Sequence, residues 1–263
     1  MTGKALLAAL LFFGCAKPPG MAVTPGIDLP EFHHRSEIAW YFVEYDKVAW
    51  ATTDSLMKND IERVRSNLGQ EWFCYRYRGK WMAVYGKYED GKYRPGIRYG
   101  LDDGSAKISI KPSGDSSMEY KCGRIISETF PEIQKLRESQ GMTPNWYLFP
   151  DSARNEISIW YMSALGKKSE VIYGYNIGFV YDLKEMTLKN KVFEVGEIRY
   201  FVPDQAREIE IDNTERKIPT IEHIFIAERY HGMFKKIRIR NRNGVSEYVH
   251  LGGDRYSWMT VHR

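Results

Sequence analysis

The stretch "VIYGYNIGFVY", Val171–Tyr181, carries Val171, Tyr173, Tyr175, Ile177, Phe179 and Tyr181 at every second position. A period of two places all six on one face of a β-strand. The opposite face holds Gly174 and Gly178, where side chains are missing and another backbone, a bend or a ligand can come close. Bending of a long strand is the commonest of these uses.

The same signals extend outward. Downstream, strands are expected around Val192, Ile198, Ile209, Ile224, Ile237 and Val249. Upstream, "EWFCYRYRGKWMAVYGKYEDGKYRPGIRY" reads as three strands joined at Gly79-Lys80 and Asp90-Gly91, an antiparallel meander. Two further strands are expected at Glu37–Tyr45 and Val48–Thr52, around a turn at Asp46-Lys47. The 18 tyrosines and 14% aromatic content favour strands throughout. Helical spacing occurs twice. Met57, Ile61, Val64 and Leu68 predict a helix over 55–68, with Asp54 placed to cap it and Gly69 to end it. Thr129 and Glu132 have capping-box spacing, and Phe130, Ile133 and Leu136 follow as an apolar stripe, predicting a helix over 130–140. The expected fold is mainly β, built of antiparallel meanders in a sandwich- or barrel-like arrangement with two minor helices. One domain over 36–263 is expected, with 139–145 the place where two lobes would divide.

Ahead of this domain stands "LLFFGCAKPPG", Leu10–Gly20. Lys4 precedes nine apolar residues, Ala5–Phe13, and then Gly14. Such a run is too short to span a bilayer, which takes about 20 residues, and has the layout of an export signal. A small residue followed by Cys15, directly after the apolar run, resembles the lipobox of bacterial lipoproteins. This chain has Phe12 and Phe13 where that family carries Leu and a small residue, and uncleaved or conventional export is the alternative. The resemblance implies a signal peptide over 1–14, acylation of Cys15, and the outer membrane of a Gram-negative bacterium, because Ala16 is not the Asp that retains lipoproteins at the inner membrane. Residues 15–35 then form a Pro-rich tether. The 15 residues Ala16–Pro30, four of them proline, extend at about 3.1 Å each and reach roughly 45 Å.

Composition narrows function without naming it. Removal of residues 1–14, whose only charge is Lys4, leaves 37 basic residues (38 − 1) against 34 acidic ones. That balance is too weak to argue for nucleic acid. There is no G-x-S-x-G, phosphate-cradling glycine loop, H-E-x-x-H or paired C-x-x-C. Cys74 and Cys122, 48 positions apart, are either a disulfide, constraining the unfolded chain by roughly 4 kcal/mol, or two buried thiols. His33-His34 follow the tether without a ligand partner at suitable spacing, so no metal or cofactor is expected. His223 and His231, beside Glu222 and Glu228, suit proton transfer but read more readily as core or surface histidines.

Two surfaces remain. Trp72, Trp81, Trp160, Tyr173 and Tyr175 can form a stacking face for a glycan, or simply the core. Lys236, Arg238, Arg240 and Arg242 alternate as an anion-binding stripe. A turn at Asn243-Gly244 would set Arg240 opposite Glu247 and partly neutralise it. The resulting expectation is a cell-envelope binding or assembly module without catalytic activity, held to the membrane by its lipid and partnered by an envelope protein or glycan. The alternatives are a glycan-binding protein or glycan-acting hydrolase, marked by two carboxylates about 5 to 9.5 Å apart, and a small apolar ligand carrier, marked by a closed barrel cavity.

Overall fold

Asp28 opens the first helix, its Oδ1 accepting a hydrogen bond from the Glu31 amide at 3.1 Å, with Pro30 in the first turn. The computed structural model describes residues 28–101, 108–111, 113–140, 144–163, 170–202, 204–252 and 255–261. The expected signal segment over 1–14, Cys15, the expected tether as far as residue 27, and 141–143 within the expected lobe boundary lie outside them.

Helix α1 spans Leu29–Ser55 and overturns the expected strands at 37–45 and 48–52. Ile38, Phe42, Tyr45, Ala49 and Thr52 recur at steps of four and three and are all buried, while Trp40 and Trp50 point to solvent. The aromatic, β-branched composition favoured strands, but the 3.6-residue stripe decides the outcome. Asp46-Lys47 is therefore no turn, and Leu29–Arg35, including His33-His34, is helix and not tether. The helical path continues through a π turn, Leu56–Asp60, the short α2, Ile61–Val64, and a 3₁₀ turn, Arg65–Asn67. The helix expected over 55–68 is thus the end of a longer one, with Asp54 inside α1 and not a cap.

Strands β1 (Trp72–Tyr77), β2 (Lys80–Glu89), β3 (Lys92–Leu101) and β4 (Ile108–Ile110) form the expected antiparallel meander. Its first turn is Arg78-Gly79, one residue earlier than expected, with φ of 53° and 79°; Asp90-Gly91 turns as expected. Helix α3, Ser116–Gln140, starts well before Thr129, capped instead by Asp115, whose Oδ1 accepts from the Ser117 and Met118 amides at 3.0 Å. The Thr129 hydroxyl donates back to the Ile125 carbonyl at 2.7 Å, and Pro131 lies in the helix interior.

The second sheet runs β5 (Pro144–Asp151), β6 (Glu156–Ser163), β7 (Val171–Asp182) and β8 (Leu188–Phe201), all antiparallel. Val192 and Ile198 share β8. The third is ordered β12-β11-β10-β9, from β9 (Asp204–Asn213), β10 (Phe234–Asn241), β11 (Gly244–Gly252) and β12 (Arg255–Val261). Its β9 and β10 are parallel and joined through α4, Ile221–Arg229. Ile224 therefore sits in a helix, not a strand. Thr220 and His223 form a capping box that starts this helix, a sign hidden because His replaces the usual Glu or Gln. The sheets stay open, and one continuous apolar cluster joins them to the helices. The fold is mainly β, as expected, without barrel closure.

The glycines of β7 have two uses. Gly174 sits at a register shift with φ of 109°, and a Cβ there would lie 2.4 Å from the Glu197 carbonyl oxygen. Gly178 lies under the Trp160 ring, which a Cβ would meet at 2.7 Å. Gly174→Ala is expected to cost about 2 kcal/mol or more, read as a lower urea midpoint at unchanged slope; an unshifted midpoint would show that the backbone relaxes freely.

Candidate functional site

Trp72 begins β1 and Trp146 lies near the start of β5, and these strands are edges of their respective sheets. The Trp146 indole N–H donates to the Trp72 carbonyl at 2.9 Å, holding the two ring centroids 5.0 Å apart. Phe130, projecting from α3, meets Trp146 edge-on at 6.0 Å, and Tyr161 completes the wall with its hydroxyl bonded to Thr129 at 2.7 Å. These rings, together with Ile133, Pro144 and the amides of Gln70 and Gln134, enclose a recess of about 350 Å³. Trp72 also lines a second recess of about 190 Å³ with Asp46, Trp50, Thr53, Asn145 and Tyr147. Gln70, Phe130 and Gln134 also line a third, of about 510 Å³, that reaches Lys87 and Glu89. The three recesses adjoin at these shared residues, and together they are the trough.

Among the described residues, none that lines its central recess carries a carboxylate, ammonium or guanidinium. In the second, the buried Asp46 is answered by Arg229 Nε at 2.8 Å and by the Tyr147 hydroxyl at 3.2 Å. In the third, Lys87 pairs with Glu89 at 3.0 Å, and Glu71 adds a second carboxylate. Among the described residues the trough is therefore aromatic and amide-rich, with no excess of positive charge.

Of the expected stacking face, only Trp72 reaches this trough. Trp81, Trp160, Tyr173 and Tyr175 are buried on β2, β6 and β7, so the five do not form one exposed face. Inward alternation along a two-sided strand makes core, and Trp81 is further covered by the Arg76 guanidinium 4.9 Å from its ring. Cys74 and Cys122 are both buried free thiols, not a disulfide. Burial pushes both thiols up, which keeps them protonated and unreactive.

The basic stripe is also rearranged. The β10–β11 turn uses Arg242-Asn243, setting Arg240 opposite Val245 and Arg238 opposite Glu247. Lys236 and Arg238 both pair with Glu247, at 2.7 and 2.6 Å, and Arg240 pairs with Glu210 at 2.8 Å. Arg242 leaves the stripe for the turn and donates to the Glu215 carbonyl at 2.6 Å. The parallel neighbour β9 supplies Glu210, which a hairpin-only reading does not contain.

His223 and His231 lie at opposite ends of α4, so no shared proton-transfer pair forms. Glu222, however, is wholly buried. Its carboxylate accepts from the backbone N–H groups of Gly174 at 2.8 Å, Tyr175 at 3.1 Å and Ser163 at 3.1 Å, fastening α4 to β6 and β7. Burial pushes it up to about 7 despite these hydrogen bonds, and burial assisted by Arg216 and Arg35 pulls His223 down to about 3. Glu194 lines the same small cavity of about 90 Å³, gripped by Arg35 at 3.1 Å, Arg216 at 3.6 Å and the Asn176 amide. Both carboxylates are committed to the chain's own donors. His34, on α1, is lowered by burial and by Arg154. Among the described residues, no three His, Cys, Asp or Glu side chains gather to hold a metal, and no helix is long and apolar enough to cross a membrane.

The fold and trough together define a mainly β protein with an open aromatic trough. Comparison with family models, curated proteins and solved structures returned no match.

Proposed function

We propose that this chain is an exported, lipid-anchored binding module of the bacterial cell envelope, and that its ligand lies in the aromatic trough. The observation that carries the reading is the clustering of three adjoining recesses around Trp72, Gln70, Phe130 and Gln134. A partly exposed aromatic surface backed by a packed core is a common ground for recognition. Orientation supports it as well. The tether would join α1 at Leu29, whereas Trp50, at the trough, is 21 residues further along that helix. At 1.5 Å per residue, that is about 32 Å away. An anchor at Cys15 would leave Trp50 a helix length away from the point where the tether enters.

The test has two arms. Intact mass of the membrane-fraction protein is expected to show a chain starting at Cys15 with added acyl mass, lost in Cys15→Ser; an unacylated product would remove the anchor from the proposal. A photo-crosslinking residue at Gln134 is expected to capture an envelope component from intact cells, and one at Lys235, on the third sheet, to capture little. Equal capture at both positions would count against the trough.

A further inference from the structure

We infer that the ligand of the trough is an uncharged oligosaccharide, stacked on Trp72 and Trp146 and hydrogen-bonded by the flanking amides. This rests on the reading of the trough as the binding site and adds the chemistry of its occupant. Sugar rings offer C–H faces that pack on indole and hydroxyls that point outward around the edge. The two indoles are half-buried, 5.0 Å apart and tied by a hydrogen bond, so they are pre-set and lose little freedom on binding. Gln70, Gln134 and Asn145 each supply a donor pair and an acceptor, the combination that hydroxyl and acetamido groups require.

Charge argues against an anionic polymer. Among the described residues the central recess has no cation, Lys87 is matched by Glu89 with Glu71 a further carboxylate beside them, and Asp46 is matched by Arg229. Phosphate or uronate groups would be desolvated there without a partner. Backbone geometry argues against an added peptide strand. At the edge of β1, the Trp72 N–H is spent on the Gln70 carbonyl at 3.0 Å and its carbonyl is taken by Trp146, so strand addition finds no free rung at that residue. The amides on either side interrupt the apolar surface that a docked amphipathic helix would need.

The experiment is calorimetric titration of the full chain carrying Cys15→Ser with three uncharged tetrasaccharides, of β-1,4-linked N-acetylglucosamine, β-1,4-linked glucose and α-1,4-linked glucose. The anionic dye 8-anilinonaphthalene-1-sulfonate serves as a separate aromatic probe. At least one sugar is expected to bind with an affinity that holds in about 0.5 M salt. Trp146→Ala is expected to weaken it about tenfold, the equivalent of one stacking contact. Because Trp146→Ala can also loosen the core, the exposed Gln134→Ala is measured beside it; a loss of sugar affinity at unchanged melting temperature supports the assignment. Dye binding that disappears in Trp146→Ala, with no sugar bound, would overturn the glycan and keep the trough. Absence of both would overturn the two together. Binding confined to a charged polysaccharide and abolished by salt would also overturn the proposal.

Discussion

Glu222→Gln is expected to gain stability steadily as pH rises from about 3 to about 6.5, whereas the wild-type protein shows no such slope from this site over most of that range. The reason lies in two adjacent residues shifted in opposite directions. Folding raises Glu222 from 4.5 to about 7, so between those values the folded chain holds a proton that the unfolded chain has released. Stability from this group is intact below 4.5 and is lost as pH rises to about 7. Folding lowers His223 from 6.5 to about 3, so between those values the unfolded chain holds the extra proton. Stability from this group is intact above 6.5 and is lost as pH falls to about 3. Each contributes about 1.4 kcal/mol per pH unit inside its window, with opposite sign, and the windows overlap from 4.5 to 6.5. There the slopes cancel. Removing Glu222 exposes the histidine slope, about 5 kcal/mol in all, and His223→Gln exposes the reverse slope of about 3 kcal/mol. Urea unfolding across this pH range reads both as differences from wild type. Parallel profiles for all three proteins would sink the account.

The second large effect is expected at Arg98. Its guanidinium forks onto Glu119 at 2.6 and 2.7 Å, joining β3 to α3, and the Tyr75 hydroxyl donates to the same carboxylate at 3.1 Å. Glu119 is 2% exposed, so Arg98→Met strands a charge inside the protein. A loss of about 3 to 5 kcal/mol is expected at neutral pH. Arg98→Met combined with Glu119→Met should recover part of that loss, because two apolar side chains need no counter-charge. A double variant as unstable as the single one would mean that the pair contributes more by attraction than by answering a buried charge.

Most strands were legible because their alternation was strong. Val171–Tyr181 forms one strand with its alternate residues buried, and Asp90-Gly91 turns where expected. The long first helix was not, since "EIAWYFVEY" satisfies strand composition while its buried positions follow a helical step. Local propensity and tertiary packing conflict there, and packing prevails. Helix α4 was obscured by the unusual capping partner His223, and the parallel β9–β10 pairing by the lack of any local mark for it. The trough was legible only through Trp72. Trp146, Phe130 and Gln134 come together from a strand edge and a helix face, and nothing in their spacing announces that meeting. The buried Glu222 was recognised as a titratable neighbour of His223, but its three N–H partners come from strands some 50 to 60 residues earlier.

The hydrogen bonds linking α1 to the α4 region carry a consequence for the order of assembly. Arg229 reaches Asp46 across 183 positions, and Arg35 reaches the Pro219 carbonyl across 184. Until residues near 229 have emerged and folded back, Asp46 has no cation, and the first helix is covered only by earlier strands, Phe42 and Tyr45 packing on Tyr147 of β5 and Tyr45 also on Trp81 of β2. A loop of that length closes slowly, because its entropy is lost before any contact compensates. The parallel β9–β10 pair must wait as well, since α4 lies between its strands. A chain made first helix leading therefore keeps Asp46 without its guanidinium, and the α1 surface that meets α4 without its partner, until residue 229 has been added.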